Sequence, residues 1–139
     1  MTHIVEQLWA GTFRHAAERS PFYREMFHGM TSVPPLETVP SIDKKILSER
    51  NLDFLCVPRE KIVEIVTTSG TTGQPLLWML TESDLRRLAL TEKLSLSCAG
   101  LTAGDTLLFS VALDRCFMAV LPYLLGCARL VCAVVPPGS

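Results

Sequence analysis

The sequence predicts an α/β fold: N-terminal helices followed by a partial, mostly parallel sheet with flanking helices. Three observations carry that expectation. Apolar residues near the start, Ile4, Leu8, Trp9, Phe13 and Ala16-Ala17, recur at helical spacing. A β-branched run, Ile62-Val63-Glu64-Ile65-Val66, feeds a loop dense in glycine, serine and threonine. The last third then alternates apolar strand, apolar helix and apolar strand, a rhythm that implies a right-handed crossover onto a parallel sheet.

Taken in order, residues 3–18 read as an amphipathic helix. Ser20 followed by Pro21 is a cap and first-turn signal for a second, short helix ending near His28. Pro34, Pro35 and Pro40 make residues 31–41 an extended connector. Ser41-Ile42-Asp43-Lys44 opens another short helix that runs to about Arg50. Residues 62–68 and 76–80 form a hairpin-like pair of strands around the loop 69–75. Thr81-Glu82-Ser83-Asp84 has the pattern of a capping box. The helix it opens passes through Leu85, Leu88, Ala89 and Leu96 to about Cys98, and Gly100 stops it. Gly104-Asp105 turns the chain into a strand over 106–112, followed by a helix over 115–125 and a strand over 128–135. The whole is expected to be a single incomplete domain over residues 1–139. Residues 1–60 form a helical collar and 61–139 the α/β part that carries the loop. No internal repeat or low-complexity segment is present.

The loop is where chemistry concentrates. Thr67 to Gly73 places five hydroxyl side chains and two glycines in seven positions. Glycine lets backbone approach a ligand closely, and consecutive amides in such a turn form a concave nest for anions. Hydroxyls add donors and can face a magnesium ion. Such composition also serves plain turns, but this loop holds more hydroxyls than a turn needs. It is not a Walker A loop, because no Gly-Lys-Ser/Thr stands at the required spacing, and no Gly-x-Gly-x-x-Gly dinucleotide fingerprint occurs.

Bulk properties exclude several classes. The chain has 139 residues, 48% of them apolar and 19% charged, which argues for a packed core and against disorder. A net charge of −1 with no Lys/Arg run gives no electrostatic footprint for nucleic acid. No signal pattern opens the chain. Five cysteines, Cys56, Cys98, Cys116, Cys127 and Cys132, show no Cys-x-x-Cys, and His3, His15 and His28 lie far from them. Buried reduced thiols in a cytoplasmic protein are expected, with no metal site. Residues 116–135 are apolar over about a bilayer's thickness. Arg129 inside the run, and Pro122 and Gly126 interrupting it, favour a buried helix and strand over a membrane span.

Thr68-Ser69-Gly70-Thr71-Thr72-Gly73-Gln74-Pro75 resembles the phosphate loop of the adenylate-forming enzymes, the group of acyl-CoA synthetases, luciferases and peptide-synthetase adenylation domains. The flanks resemble the phenylacetate–CoA ligase group within it. Ser20-Pro21-Phe22-Tyr23-Arg24 and Val57-Pro58-Arg59-Glu60-Lys61-Ile62-Val63 are similar to segments that precede the loop there. Thr81-Glu82-Ser83-Asp84-Leu85 and Ala99-Gly100-Leu101-Thr102-Ala103-Gly104-Asp105 are similar to the helix and Gly-Asp turn that follow it.

The resemblance implies the start of the large domain of such an enzyme. Family members couple a carboxylic acid to ATP as an acyl-adenylate, then pass the acyl group to the thiol of coenzyme A. Thr68, Ser69, Gly70, Thr71, Thr72 and Gly73 match the motif and are implied to hold the ATP phosphates, with Mg2+ offsetting their charge. No covalent catalytic residue is implied. Relatives often carry lysine where Gln74 stands, or after the proline where Leu76 stands, so a charge-assisted contact of about 1.5–3 kcal/mol is missing. Asp114 and Phe117 fall in the region that lines the acyl pocket in the family, although Asp114 equally fits a helix cap. The adenine- and ribose-binding motifs, and the lysine of the mobile C-terminal domain, would lie beyond residue 139. The sequence therefore predicts an N-terminal fragment of an acid–CoA ligase, inactive alone, with weak or absent ATP–Mg binding. The alternative is a non-catalytic, self-associating module that keeps the fold, and so forms a homo-oligomer. Neither nucleic acid nor a membrane is expected as a partner.

Overall fold

The computed structural model describes residues 3–68, 76–109 and 120–135. The chain divides into two compact units, Met1–Arg59 and Glu60–Ser139.

The first unit is helical. Helix α1 spans His3–Arg19, α2 Pro21–Met26 and α3 Lys44–Glu49, with 3₁₀ turns at Leu36–Thr38 and Asn51–Phe54. The Ser20 hydroxyl accepts from the Tyr23 amide at 3.3 Å and so caps α2, whose first residue is Pro21. The same hydroxyl donates to the Asp53 carbonyl at 2.6 Å, and Ser20 is fully buried. One side chain thus starts a helix and ties it to a turn 33 residues later. Around it lies an aromatic cluster. Phe22 stacks on Phe54 at 4.2 Å, and Phe13 meets Phe27 at 4.6 Å. Trp9 Nε1 donates to the Pro34 carbonyl at 2.7 Å, which fastens the proline connector to α1. Arg50 pairs with Asp53 and Glu25 and lies over the Phe22 ring. Asp43 caps α3 by accepting from the Ile46 amide at 2.8 Å. The Ser-Pro-Phe-Tyr-Arg segment, read from sequence as a family mark, therefore serves packing in this unit.

The second unit is α/β. Strands β1 (Ile62–Thr67) and β2 (Leu77–Thr81) pair antiparallel, with an irregularity between Ile62 and Glu64. Helix α4 (Glu82–Cys98) packs against β2 and against α5 (Val120–Leu130). Strands β3 (Thr106–Leu108) and β4 (Ala133–Val135) pair in parallel, in the register Leu107 to Val134. Leu96, Cys127 and Cys132 form the core between helices and parallel pair, with Leu101, Leu107, Leu130 and Val134 packed on it. The described residues thus hold two two-stranded sheets, one of each polarity.

Three local expectations change. The strand expected over 128–135 is β4 at Ala133–Val135 alone, because α5 continues to Leu130. Gly126 does not interrupt that helix. A Cβ built there would lie 2.6 Å from Glu92 Cβ, so the glycine lets α5 approach the α4 backbone. The thiols are not uniformly buried either: Cys127 and Cys132 are, Cys56 is half-buried and Cys98 is exposed. Burial pushes the Cys127 thiol above its ordinary range, with Cys132 adding to it.

Both helices of this unit end alike. After α4, Gly100 takes φ 93° and the Leu101 amide donates to the Leu96 carbonyl at 3.0 Å. After α5, Val131 takes φ 63° and the Cys132 amide donates to the Cys127 carbonyl at 3.0 Å. Each is a Schellman-type stop with an apolar contact across it, but the second puts a β-branched residue in the left-handed region.

Candidate phosphate-binding hairpin

The hairpin is built by alternation. Val66 on β1 and Leu80 on β2 are buried, whereas Val63, Ile65 and Leu77 face outward. The β1–β2 ladder leads up to Thr68 and Leu76, which bracket the seven loop positions. Thr68 N–H donates to the Leu76 carbonyl at 3.0 Å, and Leu76 N–H donates to Thr68 Oγ1 at 3.1 Å. Leu76 is only 5% exposed. The position where a lysine would have supplied a cation is thus occupied by a core anchor, and an ammonium there would have to leave the core to meet a phosphate.

Of the residues assigned to phosphate from the sequence, Thr68 lies in the described stem. Ser69, Gly70, Thr71, Thr72 and Gly73 lie outside the described residues, as do Asp114 and Phe117. The Thr68–Leu76 bridge was not anticipated. Only the burial of Leu76 has a sequence signal, an apolar residue directly after Pro75 in step with the alternation of β2.

Downstream of the hairpin, the Thr81 hydroxyl accepts from the Asp84 amide at 3.3 Å while the Asp84 carboxylate accepts from the Thr81 amide at 3.0 Å. This is the capping box the sequence predicts. Burial acts to raise the Asp84 carboxyl, but the Thr81 amide and hydroxyl and the Arg87 guanidinium outweigh it and hold it below the usual carboxylate range. The Gly104-Asp105 turn is organised similarly. Asp105 accepts from the Thr102 amide at 2.7 Å and its hydroxyl at 2.8 Å, which holds the Asp105 carboxyl low. The Ala133 amide donates to the Asp105 carbonyl at 2.9 Å, locking the turn to β4. Two further segments of the family resemblance are therefore structural joints that carry the hairpin into the α/β core. Among the described residues no group of His, Cys, Asp and Glu is arranged to hold a metal, and no helix is long and apolar enough to cross a membrane.

Comparison with known proteins gives a consistent picture. No protein-family model matches the chain. Phenylacetate–coenzyme A ligase from Pseudomonas putida is 29% identical over 143 residues, covering 96% of this chain and 32% of that protein. The enzyme of the same name from Aromatoleum evansii is 32% identical over 132 residues, covering 88% of this chain and 30% of that protein. Among solved structures, 2-hydroxyisobutyryl-CoA ligase in complex with 2-HIB-AMP and CoA, in the thioesterification state, superposes with a TM-score of 0.79 at 26% identity. That match covers 100% of this chain and 33% of the ligase. The chain thus spans about a third of the length of these relatives. In sequence and in fold, it is a part-length relative of the phenylacetate–CoA ligase-like, adenylate-forming enzymes.

Proposed function

We propose that this chain is the phosphate-loop-bearing, N-terminal part of an ATP-dependent acid–CoA ligase. In that reading the hydroxyl- and glycine-rich segment after β1 holds the β- and γ-phosphates of ATP with Mg2+. A carboxylic acid is thereby activated as its adenylate, and the acyl group passes to the thiol of coenzyme A. A carboxylate oxygen is a poor leaving group and AMP is a good one, so the work asked of the loop is electrostatic and not covalent. The observation that carries the reading is the hairpin itself, a strand pair converging on Thr68 and Leu76 around the loop sequence, within a fold that superposes on an acid–CoA ligase caught with its adenylate and CoA. Leu76 buried in place of a cation argues for weak nucleotide binding. Turnover belongs to a longer ligase, and this chain alone is inactive. The test is to graft the chain in place of the matching part of the Pseudomonas putida ligase and measure acid-dependent pyrophosphate release.

A second reading is a non-catalytic, self-associating module. It draws on the outward apolar residues of the hairpin, Val63, Ile65 and Leu77.

A further inference from the structure

A hydrogen-bonded pair in an antiparallel ladder exchanges two backbone bonds, each residue donating its N–H to the other's carbonyl. Thr68 and Leu76 make half of that exchange. Thr68 N–H donates to the Leu76 carbonyl at 3.0 Å. The return bond from the Leu76 N–H goes at 3.1 Å to the Thr68 hydroxyl oxygen. A side chain has taken the place of a backbone acceptor at the point where regular pairing ends, since β1 stops at Thr67 and β2 begins at Leu77.

Both halves of this bridge are anchored. The Leu76 side chain is in the core, and Val66, two residues before Thr68, is 3% exposed. The β-branch of threonine restricts its χ1, so the hydroxyl is held in place by its own side chain as well as by the bond. Turned back onto the Leu76 amide, that oxygen commits one of its two lone pairs inside the protein and keeps its O–H as a donor.

We infer that Thr68 is a positioning residue: its hydroxyl, bonded to the Leu76 amide, ends the β1–β2 pairing and fixes the ends of the phosphate-holding segment. This adds a structural duty to the phosphate contact that the sequence motif implies for Thr68. It rests on the proposed phosphate reading, and the two can fail separately.

The experiment compares the wild-type chain with Thr68→Val, which keeps the β-branched shape and loses the acceptor, and Thr68→Ser, which keeps the acceptor. Amide exchange and an NMR titration with magnesium tripolyphosphate are measured on all three. The Val66 and Trp78 amides, the next bonded pair along the ladder, serve as the control that the hairpin is intact. In Thr68→Val the Leu76 amide exchanges about tenfold faster and the dissociation constant rises about fivefold to tenfold, the equivalent of one hydrogen bond. In Thr68→Ser both stay within about twofold of wild type, because the bond is kept. Unchanged Leu76 exchange or unchanged tripolyphosphate affinity in Thr68→Val overturns the positioning role while leaving the phosphate reading intact. A Thr68→Ser chain as impaired as Thr68→Val also overturns it, since packing and not the hydroxyl would then matter. A wild-type chain that gives no response to tripolyphosphate overturns the phosphate reading, and the positioning role with it.

Discussion

Among the described residues, Val131 is the one whose conformation its identity least favours. It sits at φ 63° directly after α5, in a region where a β-branched side chain crowds its own backbone, and its side chain is 73% exposed. The left-handed conformation costs roughly 1–2 kcal/mol for such a residue. Glycine removes that strain but adds unfolded-chain entropy, which returns part of the gain. Val131→Gly is therefore expected to stabilise the chain by about 0.5–1 kcal/mol in urea unfolding, with loss of stability contradicting the strain argument. Glycine at the equivalent stop of α4 was readable from the sequence, because Gly100 follows the last periodic residue. The stop of α5 was not readable, since nothing about a valine announces a left-handed turn. Ser20 shows both cases at once. Its capping role was legible from the proline that follows, but its bond to the Asp53 carbonyl depends on a contact 33 residues away, which local pattern does not encode.

At the scale of elements, signals confined to a few neighbouring residues were sound. Asp43 and the Thr81–Asp84 box start helices where the sequence places them, because a cap is a bond between near neighbours. The end of α5 was misjudged because the same residue type has opposite meanings. Gly126 reads as a breaker in isolation, yet it lies inside a helix whose neighbour comes too close for any side chain. The atoms a Cβ would meet at 126 are Glu92 Cβ and the backbone of Glu92 and Lys93, none of which can swing aside. Gly126→Ala is accordingly expected to cost about 1–3 kcal/mol by forcing α4 and α5 apart, read as a lowered urea midpoint at unchanged slope. An unaltered midpoint would mean that the two helices do not pack this closely. In the hairpin, the β-branched run placed the strands to within a residue, whereas the side-chain bridge from Leu76 to Thr68 is a detail that no period reveals.

For the whole molecule, the α/β class and the ligase resemblance were legible from the order of four short segments, and sequence and fold comparisons agree with them. Those segments flank the loop and mark the family, and three of them act in this structure as caps, turns and an aromatic anchor. Of the site, the stem is described and Thr68 belongs to it; Ser69 to Gly73 rest on the loop motif, and Asp114 and Phe117 on the family resemblance of their region. Apolar residues on the outer face of the hairpin also bear on behaviour in solution. If self-association is what this face serves, sedimentation should show concentration-dependent dimers that Ile65→Lys abolishes, whereas a monomer at millimolar concentration leaves the ligase reading alone. The most direct measurement is pyrophosphate release from a chimera in which this chain replaces the matching part of the Pseudomonas putida phenylacetate–CoA ligase. Release that requires both Mg·ATP and phenylacetate, and that falls to background when Gly70 and Gly73 are changed together to valine, is the predicted result. A folded, monodisperse chimera that releases no pyrophosphate with any aryl or short-chain acid would contradict it.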